Sequence, residues 1–148
     1  MMQISLLEFL RYGRTAGLHA NLSKDDVEAI LGSPNGTGGE TRRRKNPSIY
    51  KYESLEIMFA EPERQNAHRL TINPYPDDFM FPPSWTIDDW SLHPTDSVED
   101  VQRFLEDNNL SYEFRYPELS NKVLGVVESS VEIYFDDGLL CSITSLLK

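Results

Sequence analysis

One pattern constrains this chain more than any other: a helix followed by alternating strands occurs twice, in the same order. Residues 23–32, SKDDVEAILG, read as a helix. Ser23 is a good N-cap, acids fill the first turn, and Val27, Ile30 and Leu31 share one face before Gly32 and Pro34 stop it. Strand-like runs follow at 48–53, 55–59 and 68–73; in the second of these Leu55, Ile57 and Phe59 alternate with Glu56 and Met58. Residues 96–105, DSVEDVQRFL, then repeat the helix, with Val101, Phe104 and Leu105 answering Val27, Ile30 and Leu31. SVEIYF at 130–135 answers SLEIMF at 54–59, and LCSI at 140–143 answers RLTI at 69–72. The offsets are 74, 76 and 71 residues. Three matches in order point to an internal duplication.

The expected architecture is therefore α+β: two tandem repeats, each a helix plus an antiparallel meander of about three strands. Together they form one broad sheet with helices packed on one face. The chain of 148 residues reads as a single domain built from a first repeat at 1–74 and a second at 75–148, with a connector at 74–92. The second repeat takes its earlier strands from 111–116 and 122–127 and turns its last hairpin at Asp136-Asp137-Gly138, where Asp-Gly supplies positive φ angles. The corresponding segment of the first repeat, 60–67, reads as a longer polar loop. Residues 5–12 are compatible with a further short helix, and 84–88 with a strand inside the connector. Leu55, Ile57, Phe59, Val131, Ile133 and Phe135 would form the core, leaving Glu56, Met58, Glu132 and Tyr134 on the other face of the sheet.

Charge is distributed unevenly. The net charge of −10 argues against a general nucleic-acid binder, which needs surplus cations. Residues 1–74 carry 10 Lys/Arg and 9 Asp/Glu, whereas 75–148 carry 4 and 15. An acidic second half suits a basic partner, because complementary fields speed encounter and fix orientation; it also serves solubility. The single cysteine, Cys141, excludes an internal disulfide and is expected to pack in the last strand as a small apolar residue. The start has neither a basic n-region nor a long apolar run, so no signal peptide or membrane span is read there, and a cytoplasmic setting is the expectation.

Residues 32–46, GSPNGTGGETRRRKN, combine glycines with Arg42, Arg43, Arg44 and Lys45. They do not form a phosphate loop. The Walker pattern needs Gly-Lys-Ser/Thr leading into a helix, and the dinucleotide fingerprint needs a preceding strand; here a helix precedes and Pro47 and a strand follow. The segment reads as an expanded, flexible, solvated helix-to-strand loop, with its four cations as a candidate contact for an anion or an acidic partner. His19, His68 and His93 lack ligand spacing, and neither a metal nor another cofactor is expected. Adjacent acids recur, but neighbours on a strand point to opposite faces and do not pair as general acid and base. Asp88 and Asp89 lie between Trp85 and Trp90 in the aromatic connector that also holds Phe79 and Phe81. Tryptophan anchors with acidic rims suit a binding surface for a basic protein, although the tryptophans can equally close the core between the halves. Glu132 and Tyr134 are the candidates on the sheet.

The tandem arrangement resembles the beta-lactamase inhibitory protein architecture. The DDVEAILGSP segment at 25–34, followed by Tyr50, Tyr52, Leu55, Glu56, Ile57 and Phe59 in their spacing, resembles bacterial polymorphic-toxin immunity proteins. This resemblance implies a non-catalytic module that binds a protein by shape and charge. Its expected partner is a toxin or enzyme with a basic surface, and no inhibitory residue is carried over position by position. A small enzyme with a site in the sheet concavity and a structural adaptor are the alternatives.

Overall fold

The computed structural model describes residues 2–120 and 122–148. Its elements run β1 (Gln3–Ser5), α1 (Leu6–Tyr12), α2 (Lys24–Leu31), β2 (Gly36–Gly38), β3 (Ile49–Tyr52), β4 (Leu55–Phe59), β5 (Ala67–Ile72), β6 (Thr86–Asp88), α3 (Val98–Asp107), β7 (Tyr112–Phe114), a 3-10 turn (Pro117–Leu119), β8 (Val123–Val126), β9 (Glu132–Asp136) and β10 (Leu139–Leu146). The chain is α+β. Eight strands form an antiparallel sheet in the order β2-β3-β4-β5-β10-β9-β8-β7, and β1 pairs in parallel with β6 in a separate two-stranded sheet.

Both longer helices begin for the same local reason. The Ser23 hydroxyl accepts from the Asp26 N–H while the Asp26 carboxylate accepts from the Ser23 N–H, and Ser97 and Asp100 make the same reciprocal pair. Each box satisfies two N–H groups that a helix start leaves without partners. The sheet repeats this correspondence. Isolated bridges join Ser23 to Asn66 and Ser97 to Leu139. Likewise the Phe59 N–H donates to the Ser48 carbonyl and the Phe135 N–H to the Lys122 carbonyl, both at 2.8 Å.

Alternation along the strands sends Leu55, Ile57, Phe59, Leu70, Ile72, Ile133, Phe135 and Ile143 into one buried cluster, where they meet Phe9, Leu10, Val27, Leu31, Val101 and Leu105 of the helices. Complete burial of each such side chain contributes about 1.5–3 kcal/mol before conformational entropy is counted. The other face carries Lys51, Glu56, Met58, Arg69, Glu132 and Tyr134, which are exposed or half-buried and lie outside that cluster.

Four expectations need correction. The first arm of the large sheet has four strands rather than three, because β2 pairs with β3 through Gly36–Lys51, Thr37–Tyr50 and Gly38–Ile49. Gly-Thr-Gly has little strand propensity, so this edge strand is set by its neighbour and not by local preference. The basic segment is consequently not a free loop: Arg64, with only 8% of its surface exposed, donates to the Gly39 carbonyl at 2.7 Å and the Asn46 carbonyl at 3.2 Å. Arg44 pairs with Glu61 at 2.9 Å and also donates to the Pro62 carbonyl. The pairing also departs from the third sequence match: Glu56 pairs with Thr71 and Glu132 with Thr144, and Thr71 stands opposite Thr144, so it is Thr144 and not Ser142 that occupies the position matching Thr71 in the sheet. Cys141 does lie in the last strand, β10, but is only half-buried there, at the irregularity between Leu140 and Ser142; burial pushes its thiol pKa up. Among the described residues no helix is long and apolar enough to cross a membrane.

Candidate functional site

The register lines up one residue per strand across the sheet: Gly36, Lys51, Glu56, Thr71, Thr144, Glu132, Gly125 and Glu113. At the middle of this row the Thr71 and Thr144 hydroxyls lie 2.9 Å apart, and Thr144 also donates to the Leu70 carbonyl at 3.3 Å. Glu56 and Glu132 flank the pair on either side. Glu56 accepts from the Asn73 side-chain amide. Glu132 is held more elaborately. Tyr116 donates to its Oε2 at 2.7 Å, Tyr134 to its Oε1 at 3.0 Å, and the Arg115 guanidinium stands 3.4 Å from Oε2.

Arg115 reaches Glu132 by lying across β8 at Gly125. A Cβ at residue 125 would stand 1.9 Å from the Arg115 Nε. A glycine inside an apolar strand often marks such an approach. Arg115 also meets Glu113 at 3.5 Å, and Tyr116 turns out of the strand with a left-handed φ of 56°. A depression of about 250 Å³ opens beside this group, lined by Arg69, Arg115, Tyr116, Glu132, Thr144 and Leu146 among others.

Burial pulls the Glu132 carboxyl upward, but the donors Tyr116, Tyr134 and Arg115 outweigh it and hold its pKa below the ordinary value. Burial, reinforced by Glu132, pushes Tyr134 up to about 12. Tyr116 is raised chiefly by its hydrogen bond to Glu132. Both kinds of group thus move away from neutrality, which suits fixed charge and hydrogen bonding better than proton exchange near pH 7. Because the folded pKa of Glu132 is depressed, its contribution to stability is complete above the unfolded carboxylate range and is lost as pH falls through the folded value. Urea midpoints measured against pH should therefore show a smaller acid-side loss in Glu132→Gln than in the wild type. Superimposable acid limbs would count against the donor cluster.

The connector candidates fall elsewhere. Phe79 is buried, and Trp90 meets Phe79 at 5.6 Å and Phe81 at 5.1 Å, edge to face. The Trp90 indole donates to the Leu92 carbonyl at 3.0 Å. Trp85 tilts over Tyr52 at 5.6 Å. Phe81, Trp85 and Trp90 all pack against the core cluster. Asp89, at a positive φ, accepts from the Leu6 N–H at 2.7 Å and from the Ser5 hydroxyl at 3.1 Å, so it caps α1 from a distant part of the chain. Asp88 accepts from the Gln3 amide at 3.3 Å and remains exposed. The aromatic connector and the Glu132–Tyr134 group are thus on opposite sides of the sheet. Of the four cations in the basic segment, Arg42, Arg43 and Lys45 are exposed, whereas Arg44 is half-buried in its ion pair. The acids of 75–148 are exposed apart from Asp96 and Glu132. Among the described residues no group of three His, Cys, Asp or Glu side chains is placed to hold a metal ion.

Sequence reasoning named Glu132 and Tyr134 but missed Arg115, Tyr116 and Arg69. Gly125 was the available signal, sitting between valines and leucines in KVLGVV. Compared with known proteins, the chain matches no family model, no curated protein and no solved structure.

Proposed function

We propose that this chain is a non-catalytic protein-binding module of the immunity or inhibitor kind, working in the cytoplasm on a partner protein with a basic surface. In this reading it is one domain of two tandem repeats, 1–74 and 75–148. The matching capping boxes, the bridges Ser23–Asn66 and Ser97–Leu139, and the paired Phe59 and Phe135 N–H bonds support the duplication. The observation that carries the binding function is the Glu132 group. A carboxylate fixed by two tyrosines and an arginine is prearranged on a sheet face where Met58, Tyr116 and Leu146 are exposed. Rigid aromatic and apolar anchors around a fixed polar group are what a protein interface uses, and preorganisation reduces the ordering cost of binding. The exposed acids of the second half supply long-range attraction for a basic partner.

Affinity capture with the full chain from its native host should yield one stoichiometric partner whose binding weakens with salt. Tyr116→Ala should reduce that affinity by about tenfold or more, as truncation of an anchor does, while Arg103→Ala on the exposed face of α3 should leave it unchanged. A complex indifferent to Tyr116→Ala would sink the assignment of this face. A chain that binds a small molecule and no protein would sink the function itself.

A further inference from the structure

A second pocket, of about 320 Å³, lies between the end of α2 and the connector, lined by Gly32, Tyr52, Glu53, Pro82, Pro83 and Trp85 among others. We propose that it receives a cationic side chain, a guanidinium or an ammonium, from a segment of the partner protein that reaches round to the connector side of the sheet, opposite the Glu132 face; the identity of the source rests on the function proposed above.

Three features point to positive charge, and a fourth fixes the frame. Glu53 lines the pocket, and its Oε2 is buried with no hydrogen-bond partner among the described residues. That oxygen is closed to water, so a cation in the pocket meets the carboxylate from its other side and balances the charge that the two oxygens share. Second, α2 ends at this pocket. The helix carries Asp25 and Asp26 in its first turn and no basic residue in its last, so its negative end is uncompensated by its own side chains. Third, the half-buried Trp85 ring lines the space, backed 5.6 Å away and 32° from parallel by Tyr52, which is itself only 1% exposed. Aromatic faces attract cations, tryptophan most strongly, and proline walls add apolar surface for the stem of a long side chain. Fourth, the frame is fixed. The Tyr52 hydroxyl donates to the Gly32 carbonyl at 2.8 Å, and the Glu53 N–H donates to the Asn35 side-chain carbonyl at 3.0 Å. Glu53 itself has a φ of 56°, a left-handed conformation that a non-glycine residue adopts at some cost.

The test is a titration of the folded full chain with N-acetyl-arginine amide and N-acetyl-lysine amide, followed by NMR. The expected result is saturable shifts of the Trp85 indole N–H and of the Gly32, Tyr52 and Glu53 amides, at the millimolar affinity of a single side chain. Glu53→Gln should weaken binding about tenfold, as loss of a charged partner does, and leave the rest of the spectrum in place. N-acetyl-glutamine amide should produce no shifts. Absence of shifts with both cationic amides overturns the pocket assignment and leaves the polar-face binding test untouched. If the amides bind but the partner complex tolerates Glu53→Gln without loss, the partner is not the source of the cation. If no partner protein is captured, the preceding function fails, and the amide titration still decides the pocket.

Discussion

Phe59→Ala should lower stability by about 3–5 kcal/mol, the largest effect expected of any single truncation considered for this chain. Phe59 is 1% exposed and closes β4 with its ring edge against Tyr50, 4.9 Å between centroids and 75° between planes. The Lys24 ammonium lies 5.3 Å from the Phe59 centroid and 5.6 Å from that of Tyr50, and it donates to the Pro47 carbonyl at 2.6 Å. Burial, with Arg64 nearby, lowers the Lys24 pKa. Removing the ring therefore opens a cavity and takes away part of the aromatic surface over which this cation sits. Urea denaturation gives the measurement, with Phe59→Leu expected to lose clearly less. A loss in Phe59→Ala within about 0.5 kcal/mol, the range of an ordinary surface substitution, would contradict the placement of this residue in the core.

Arg64→Ala is the second, at about 2–4 kcal/mol, and its effect should be visible locally before it is visible globally. The guanidinium binds the Gly39 and Asn46 carbonyls and meets Glu61 at 2.7 Å. Glu61 is itself more than half exposed, so most of the loss comes from the two carbonyls and little from the ion pair. Without Arg64 the segment carrying Arg42, Arg43 and Lys45 loses its tether. Trypsin should then cut there at least about tenfold faster under native conditions, as the free energy of local opening falls by more than about 1.4 kcal/mol. Arg64→Lys should not restore protection, because one ammonium cannot reproduce the planar fork that spans these acceptors. Unchanged cleavage in Arg64→Ala would show that β2 and the contacts of Arg44 and Asn46 fasten the segment without Arg64.

Local chemistry was legible in the sequence, and chemistry assembled across the chain was not. Ser23 with Asp26, and Ser97 with Asp100, announce helix starts because a capping box needs only four consecutive residues. Leu55, Ile57 and Phe59 announce a one-sided strand by alternation alone. The β2 strand could not be read, since Gly-Thr-Gly becomes a strand through its pairing with β3. Asp89 is an acid beside tryptophan in the sequence, yet its ligands are backbone N–H groups at Leu6 and Leu7, brought to it by the pairing of β1 with β6. Arg64 gave no local sign of its burial either. At the candidate site Glu132 and Tyr134 were visible as alternate residues of one strand, whereas Arg115 and Tyr116 join them only because β7 folds back along β8 and Gly125 leaves room above it.

The central seam between β5 and β10 has a consequence for how the protein is made. The strand that completes β5 is the last described strand to leave the ribosome. Throughout the synthesis of the second half, a nascent chain that has already assembled β2 to β5 displays the N–H and C=O groups of β5 along an open edge, ready to template pairing with another nascent chain. Translation pauses within the second half should therefore favour strand exchange between neighbouring chains, and a chaperone that shields β5 would matter most in that interval.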